Sequence, residues 1–256
     1  MTHLALDDSA AARLADLVAD VAREPARVRT HFPAAARQVG RGPLDPADPQ
    51  GLRGPTLDDA VRAALLVALA GALRDDPSRL SAEVSELYRY GDAAEKRAVL
   101  RALPELPALG ESGLPLVADA LRTNDVRLVA AALGEYAVEH LDQEAWRQGV
   151  LKCLFVGVPL AVVAGLDGRA DAQLAGMVAR YVHERVAAGR DVPGDVWLVL
   201  DRFPDVLGET VWTSAPDTLA GHVRAQVTVL TDELQARADE AFGPGMVVLE
   251  GSLRPA

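Results

Sequence analysis

No charged residue falls between Cys153 and Leu166, in a chain of 256 residues of which a quarter are charged. That run is shorter than the roughly 18 apolar residues of a membrane span, and Pro159 interrupts it, so it belongs to a core helix opening near Gln143 and not to a bilayer. On a helical wheel Trp146, Val150, Cys153, Leu154 and Gly157 share one side while Leu151, Phe155 and Val156 take others. A helix apolar almost all round is expected to be enclosed by neighbours, with the rest of the chain packed about it.

Alanine and leucine are abundant, aromatic residues make up 4%, and alternating β-branched runs are nearly absent. The expected class is all-α. Helix starts follow from capping chemistry: Asp7 to Ser9, Thr56 with Asp59, Asp76 before Pro77, Asp92 with Glu95, Ser112, Asp125 and Asp142. Apolar stripes follow these caps: Leu14, Leu17, Val18 and Val21; Val61, Leu65, Ala68 and Leu69; Leu80, Val84, Leu87 and Tyr88; Val99, Ala102 and Leu103. Later helices are expected at about 172–188, around Val196 to Leu200, and from Ser214 to Leu234.

From Asp76 onward alternate caps lie 36, 33 and 30 residues apart, a rhythm within the range of helical repeats. Asn124, Asp125, Val126 and Arg127 also look like the turn between paired helices of HEAT-like repeats, with an acidic cap before a basic residue. The architecture expected is therefore stacked antiparallel helical hairpins in a HEAT-like superhelix, or an irregular helical bundle. Glycine and proline recur throughout GRGPLDPADPQGLRGP (Gly40 to Pro55), which excludes a regular element. The expected division is an N-terminal helical pair (1–39), this loop (40–55), a main helical region (56–242) and a tail (243–256) in which Met246 to Leu249 is extended.

The formal charge of −11, from 37 acidic and 26 basic residues, argues against general affinity for nucleic acid or anionic lipid. One cysteine allows no intrachain disulfide, and Met1 to Ala12 carries no secretory pattern, so a cytoplasmic protein without membrane insertion is expected. Phosphate-loop, dinucleotide-loop, HExxH, paired-cysteine and GxSxG patterns are missing, and no cofactor or metal is implied. The residues alone assign no reaction.

Several polar residues intrude on apolar positions. Lys152 breaks the core helix and continues a line of Glu144 and Gln148 at i+4 spacing; it could bind a phosphate or carboxylate, or reach the surface or pair with an acid. Arg185 falls on the sector of Leu174, Val178 and Tyr181, with Glu184 beside Met177. It would suit either bidentate anion recognition or an ion pair between helices. Asp167 and Arg169 flank Gly168 in a polar turn and could complete an anion pocket or brace that turn. Lys152, Asp167, Arg169, Glu184 and Arg185 are thus the candidate ligand-binding set. His140 fits a core histidine better than a metal set with His183 and Glu184, and His183 points to the surface. Cys153 fits inert packing, and Trp146, Trp197 and Trp212 fit anchors.

Three segments, LYRYGDAAEKRAVLRALPELP (Leu87 to Pro107), TNDVRLVAAALGEYAVEHLDQEAWRQGVLKCLFVGVPLAVVAGLDGRAD (Thr123 to Asp171) and ARYVHERVAAGRDVP (Ala179 to Pro193), resemble the EboA-domain family. The resemblance implies a bacterial cytoplasmic protein of an ebo-type gene cluster. Its neighbours there would be a prenyltransferase-like membrane protein, a TatD-like metal hydrolase, a sugar-phosphate isomerase-like protein and a cyclase of the dehydroquinate-synthase kind. Such clusters are linked to making or exporting specialised metabolites, with a prenylated cyclitol as the implied product. No catalytic residue carries over by motif. The function expected is a non-catalytic helical scaffold or interaction protein whose partners are the other ebo-cluster proteins. The alternative is a small-molecule protein or enzyme acting on a phosphorylated cyclitol or prenyl intermediate, a small anionic metabolite.

Overall fold

A computed structural model describes residues 6–188, 190, 192–203, 206, 246–249 and 252–255. The chain is all-α, and it forms two compact units, 1–142 and 143–256. Trp212 and the helix expected from Ser214 lie outside the described residues, as does the His183 side chain.

The first unit contains α1 (Asp8–Arg23), α2 (Val28–Gln38), α3 (Leu57–Ala72), α4 (Pro77–Tyr90), α5 (Ala93–Ala102), α6 (Leu114–Leu121), α7 (Val126–Ala132) and α8 (Glu135–His140). The caps at Asp7, Asp76 and Asp125 accept backbone N–H groups, and Asp92 with Glu95 completes a capping box. One apolar cluster runs from Leu17 and Val21 through Phe32, Leu65, Leu69, Leu80, Val99 and Leu103 to Tyr136. Helix α3 is its axis, since α1, α2 and α5 all pack on it.

Two sequence expectations need correction here. Ser112 is not a cap: a 3-10 segment, Pro107–Gly113, runs through it, and α6 starts after Gly113 without a side-chain cap. The helix opened by the Asp125 cap is also shorter than the spacing to the Asp142 cap implies, because the chain leaves α7 at Leu133 and restarts α8 after an extended Gly134. Tyr136 ties this break down by donating to the Gly110 carbonyl and accepting the Gly113 N–H.

The loop 40–55 is irregular, as its composition demands, yet it is knitted into the unit. The Asp48 carboxylate accepts the N–H groups of Leu52, Arg53 and Gly54 at 2.8, 2.8 and 3.0 Å. Burial alone would raise the Asp48 pKa, but these three donors together with the positive charge of Arg101 outweigh it and the net shift is downward. Gly51 sits at φ 65°, where a Cβ would also meet the Thr56 methyl at 2.8 Å. Arg101 closes the turn from α5 by donating to the Gly51 and Leu52 carbonyls.

In the second unit are α9 (Gln143–Val156), α10 (Leu166–Arg169), α11 (Ala172–Ala187) and α12 (Trp197–Leu200). Two strands, β1 (Met246–Leu249) and β2 (Ser252–Pro255), pair antiparallel with Met246 opposite Pro255, so the extended piece foreseen in the tail has a partner strand. The enclosed rod foreseen at 143–166 is shorter and more one-sided. Gly157, at φ 80°, ends α9. Trp146, Gly149, Val150, Cys153 and Leu154 are buried, but Phe155 is 60% exposed. What looks apolar all round on a wheel is a helix with one buried side and one apolar residue turned out.

Candidate functional site

Two arrangements concentrate polar chemistry, one in each unit. At the head of α3, Asp58 and Asp59 are buried, and so are Arg62 and Arg97. Arg97 Nε bonds the Asp59 carboxylate at 2.8 and 3.1 Å, while its Nη2 donates to Thr56 Oγ1 at 2.8 Å. Arg62 Nη1 reaches Asp58 Oδ2 at 2.8 Å, and its Nε donates to the Phe32 carbonyl at 3.1 Å. The Thr56 N–H bonds Asp59, so the residue that starts the helix also anchors α5. Every charge in this network faces an opposite one within the fold. Buried ions of that kind tie elements together and leave little capacity for an incoming anion.

In the second unit α9 and α11 run in the same direction. Arg147 pairs with Asp171 at their starts, and the Tyr181 hydroxyl donates to the Leu154 carbonyl at 3.1 Å toward their ends. Between them lies a groove of about 340 Å³. Gln148, Leu151 and Phe155 line it from α9, at spacings that share one helical face; Gln173, Met177, Arg180, Tyr181 and Glu184 line it from α11. The Phe155 ring meets Tyr181 edge-on, 5.0 Å between centroids and 81° between planes. Burial raises the Tyr181 pKa against the opposing charge of Arg185, so the phenol is neutral and holds its ring by the bond to Leu154.

The five residues singled out from sequence are distributed over this unit. Glu184 lines the groove, and Arg185 borders it by stacking on Tyr181, 5.7 Å from the ring centre. Lys152 is half-buried on α9 and engaged with a partner. Arg169 stacks on Trp146 at 5.0 Å and donates to Gln143 at 3.1 Å, which braces the start of α9. The Asp167 side chain is fully exposed, 3.5 Å from Arg202. His140 is partly buried against Tyr136, with ring centroids 4.4 Å apart. Among the described residues no three His, Cys, Asp or Glu are gathered as metal ligands.

Burial, reinforced by the negative charge of Asp195, pushes the Cys153 thiol up to about 12, which keeps it protonated and unreactive. Asp195 is itself shifted upward by burial, against the Leu160 N–H that donates to it at 2.6 Å. Asp171 is the opposite case: Arg147 and the N–H of Leu174 hold it down near 2.

Sequence reasoning missed both polar arrangements in large part. Asp58 and Arg62 stand four apart on α3, the spacing of a helical ion pair, and that signal was available. Nothing local marks Arg97, whose partner is 38 residues away. In the groove, the i, i+4, i+7 and i+11 positions Gln173, Met177, Arg180 and Glu184 form one stripe, recognisable once α9 is known to pack beside it.

A family model described as metabolite traffic protein EboA matches residues 53–201. The chain belongs to the EboA family. No curated protein and no solved structure matches it. The EboA region begins at the end of the loop before α3 and closes just after α12, so it contains both the network at the head of α3 and the α9/α11 groove. The family description connects the chain with the handling of metabolites. No helix among the described residues is long and apolar enough to cross a membrane.

Proposed function

We propose that this EboA protein is a non-catalytic helical scaffold of an ebo-type specialised-metabolite pathway, with a prenylated cyclitol as product class, and that it works in the cytoplasm by binding other ebo-cluster proteins. The observation that carries this reading is the use made of its helices and charges in the first unit. Helices α4 and α5, then α6 and α7, are successive packed neighbours, the arrangement from which hairpin stacks are built. At the turn into α7 Asp125 caps the helix through the Arg127 N–H at 2.9 Å and pairs with the Arg127 guanidinium at 3.0 Å, so the acidic cap and the basic residue after it fix this turn locally.

Arg62 and Arg97 are committed to Asp58 and Asp59 inside the fold, which supports a framework role over a catalytic one. At the end of α4, Tyr90 is 73% exposed and carries Arg89 5.5 Å from its ring centre. Tyrosine and arginine are the residue types that anchor protein interfaces. Native mass spectrometry of the chain co-purified with its neighbouring gene products tests the proposal. A stable complex with at least one of them is expected; retention of none overturns it.

A further inference from the structure

The groove between α9 and α11 contains a feature that partner binding through α4 to α7 does not use: a large aromatic side chain left open to solvent and held in place. Phe155 is 60% exposed, whereas Leu154 beside it is 4% exposed. Its ring is braced edge-on by Tyr181, which is 3% exposed and fixed through its hydroxyl. One face of Phe155 is therefore presented to the groove in a set orientation. Half-buried Met177 lines the same groove from α11 with a thioether, a group that packs well on aromatic edges.

Four polar side chains line the same groove, Gln148, Gln173, Arg180 and Glu184, and one of them is a cation. Arg180, which is exposed, and Glu184 stand one turn apart on α11 and line the groove that Phe155 and Tyr181 also line. Among the described residues Arg180 enters no ion pair with a carboxylate, unlike Arg62, Arg97 and Arg147. A guanidinium lining a groove that also holds aromatic rings suits a planar carboxylate, which it can hold with two parallel hydrogen bonds. Glu184 one turn on can accept from a hydroxyl or N–H on the same ligand. The volume, about 340 Å³, lies at the small end of metabolite sites.

We infer that the α9/α11 groove binds a small planar aromatic carboxylate, its ring stacked on Phe155 against Met177 and its carboxylate on Arg180. The site is built from other helices than those assigned to partner binding, so a variant in one leaves the residues of the other unchanged. A phenyl ring at this position would otherwise keep apolar area in water, and a flat ring covers it with favourable offset stacking. The overall charge of −11 repels anions at long range, so attraction at Arg180 is local and weakens with added salt.

The test uses the full chain and three probes followed by NMR titration: 2-naphthoate, 2-naphthamide with the same rings and no charge, and cyclohexanecarboxylate with the charge and no flat ring. Saturable binding of 2-naphthoate is expected with a Kd on the order of 1 mM or tighter. The other two probes should bind roughly fivefold or more weakly. Phe155→Ala should weaken 2-naphthoate by roughly five- to tenfold, and Arg180→Gln by about tenfold, with helical circular dichroism unchanged in both. Three results overturn the inference: no saturation by 2-naphthoate at about ten times that Kd, equal binding of all three probes, or binding unaltered in both variants. Concentration-dependent dimerisation that Phe155→Ala abolishes would assign the face to a second copy of the chain and overturn it equally.

Discussion

At the head of α3, four charged side chains that a helix would ordinarily present to water lie inside, while on α9 a phenylalanine that a helix would ordinarily bury lies outside. The two regions resolve their inverted residues differently. Asp58, Asp59, Arg62 and Arg97 are desolvated and must meet one another, so each carboxylate has a guanidinium within 2.8 Å. Phe155 has no such obligation; an exposed ring raises the free energy modestly and asks only to be covered. Inward charge thus marks where the chain is locked, and the outward ring of Phe155 is what the inferred ligand would cover. The lysine and arginines that looked most unusual in the sequence belong to neither extreme, being half-buried and engaged with neighbours.

The strongest way to break this comparison is to remove one member of the locked network. Asp59→Ala leaves Arg97 buried with its main counter-ion gone and frees the Thr56 N–H, so a loss of about 3–5 kcal/mol is expected in urea denaturation. The double substitution Asp59→Leu with Arg97→Met should recover most of that loss, because two apolar side chains replace a desolvated pair. Arg147→Ala, in an ion pair whose acid is 36% exposed, is expected to lose only a small fraction of that. If Asp59→Ala falls within that smaller range, the α3 network is solvated and the distinction collapses.

A smaller effect separates two acids of the second unit by pH. Asp171, held near 2 by Arg147, binds fewer protons in the folded state than in the unfolded one. Its contribution is therefore complete above the unfolded carboxylate value of about 4 and is lost as pH falls toward 2. Asp195 is shifted the other way, so the folded state holds its proton longer, and its contribution declines as pH rises through the window above about 4. Asp171→Asn should flatten the acid limb of the stability profile, whereas Asp195→Asn should leave that limb and relieve a decline on its alkaline side. Unchanged profiles for both would show that neither environment persists in solution.

Most helices were legible because their signals are local. Asp76 before Pro77, and Asp92 with Glu95, fix backbone N–H groups within a single turn, and stripes such as Leu80, Val84, Leu87 and Tyr88 need only the helical period. The all-α class follows from such signals, and so does the irregularity of 40–55. What binds that loop was not legible, since Asp48 acts on groups four to six residues on and Arg101 reaches back about fifty. The break between α7 and α8 was hidden for the same reason: Tyr136 serves Gly110 and Gly113 across 26 and 23 residues. At α9 the wheel counted apolar residues but could not say which side α11 would cover. A site made by two helices becomes visible only when both are placed, and that is why Arg180 escaped notice while the half-buried Lys152 drew it.

The smallest expected effect sharpens the comparison from the apolar side. Phe155→Ser removes a ring that is 60% exposed and touches Tyr181 only by its edge, so little buried area is lost and the serine brings a hydroxyl into water. The stability change should stay within about 0.5 kcal/mol in urea denaturation, as for ordinary surface positions. Trp146→Ala on the same helix, at a fully buried position, should lose about 3–5 kcal/mol through the cavity it leaves. A helix that tolerates the first and not the second keeps its fold on one side and an apolar residue in reserve on the other. Were Phe155→Ser to approach the tryptophan variant in severity, the ring would be part of the core, and its exposure would no longer point to a ligand.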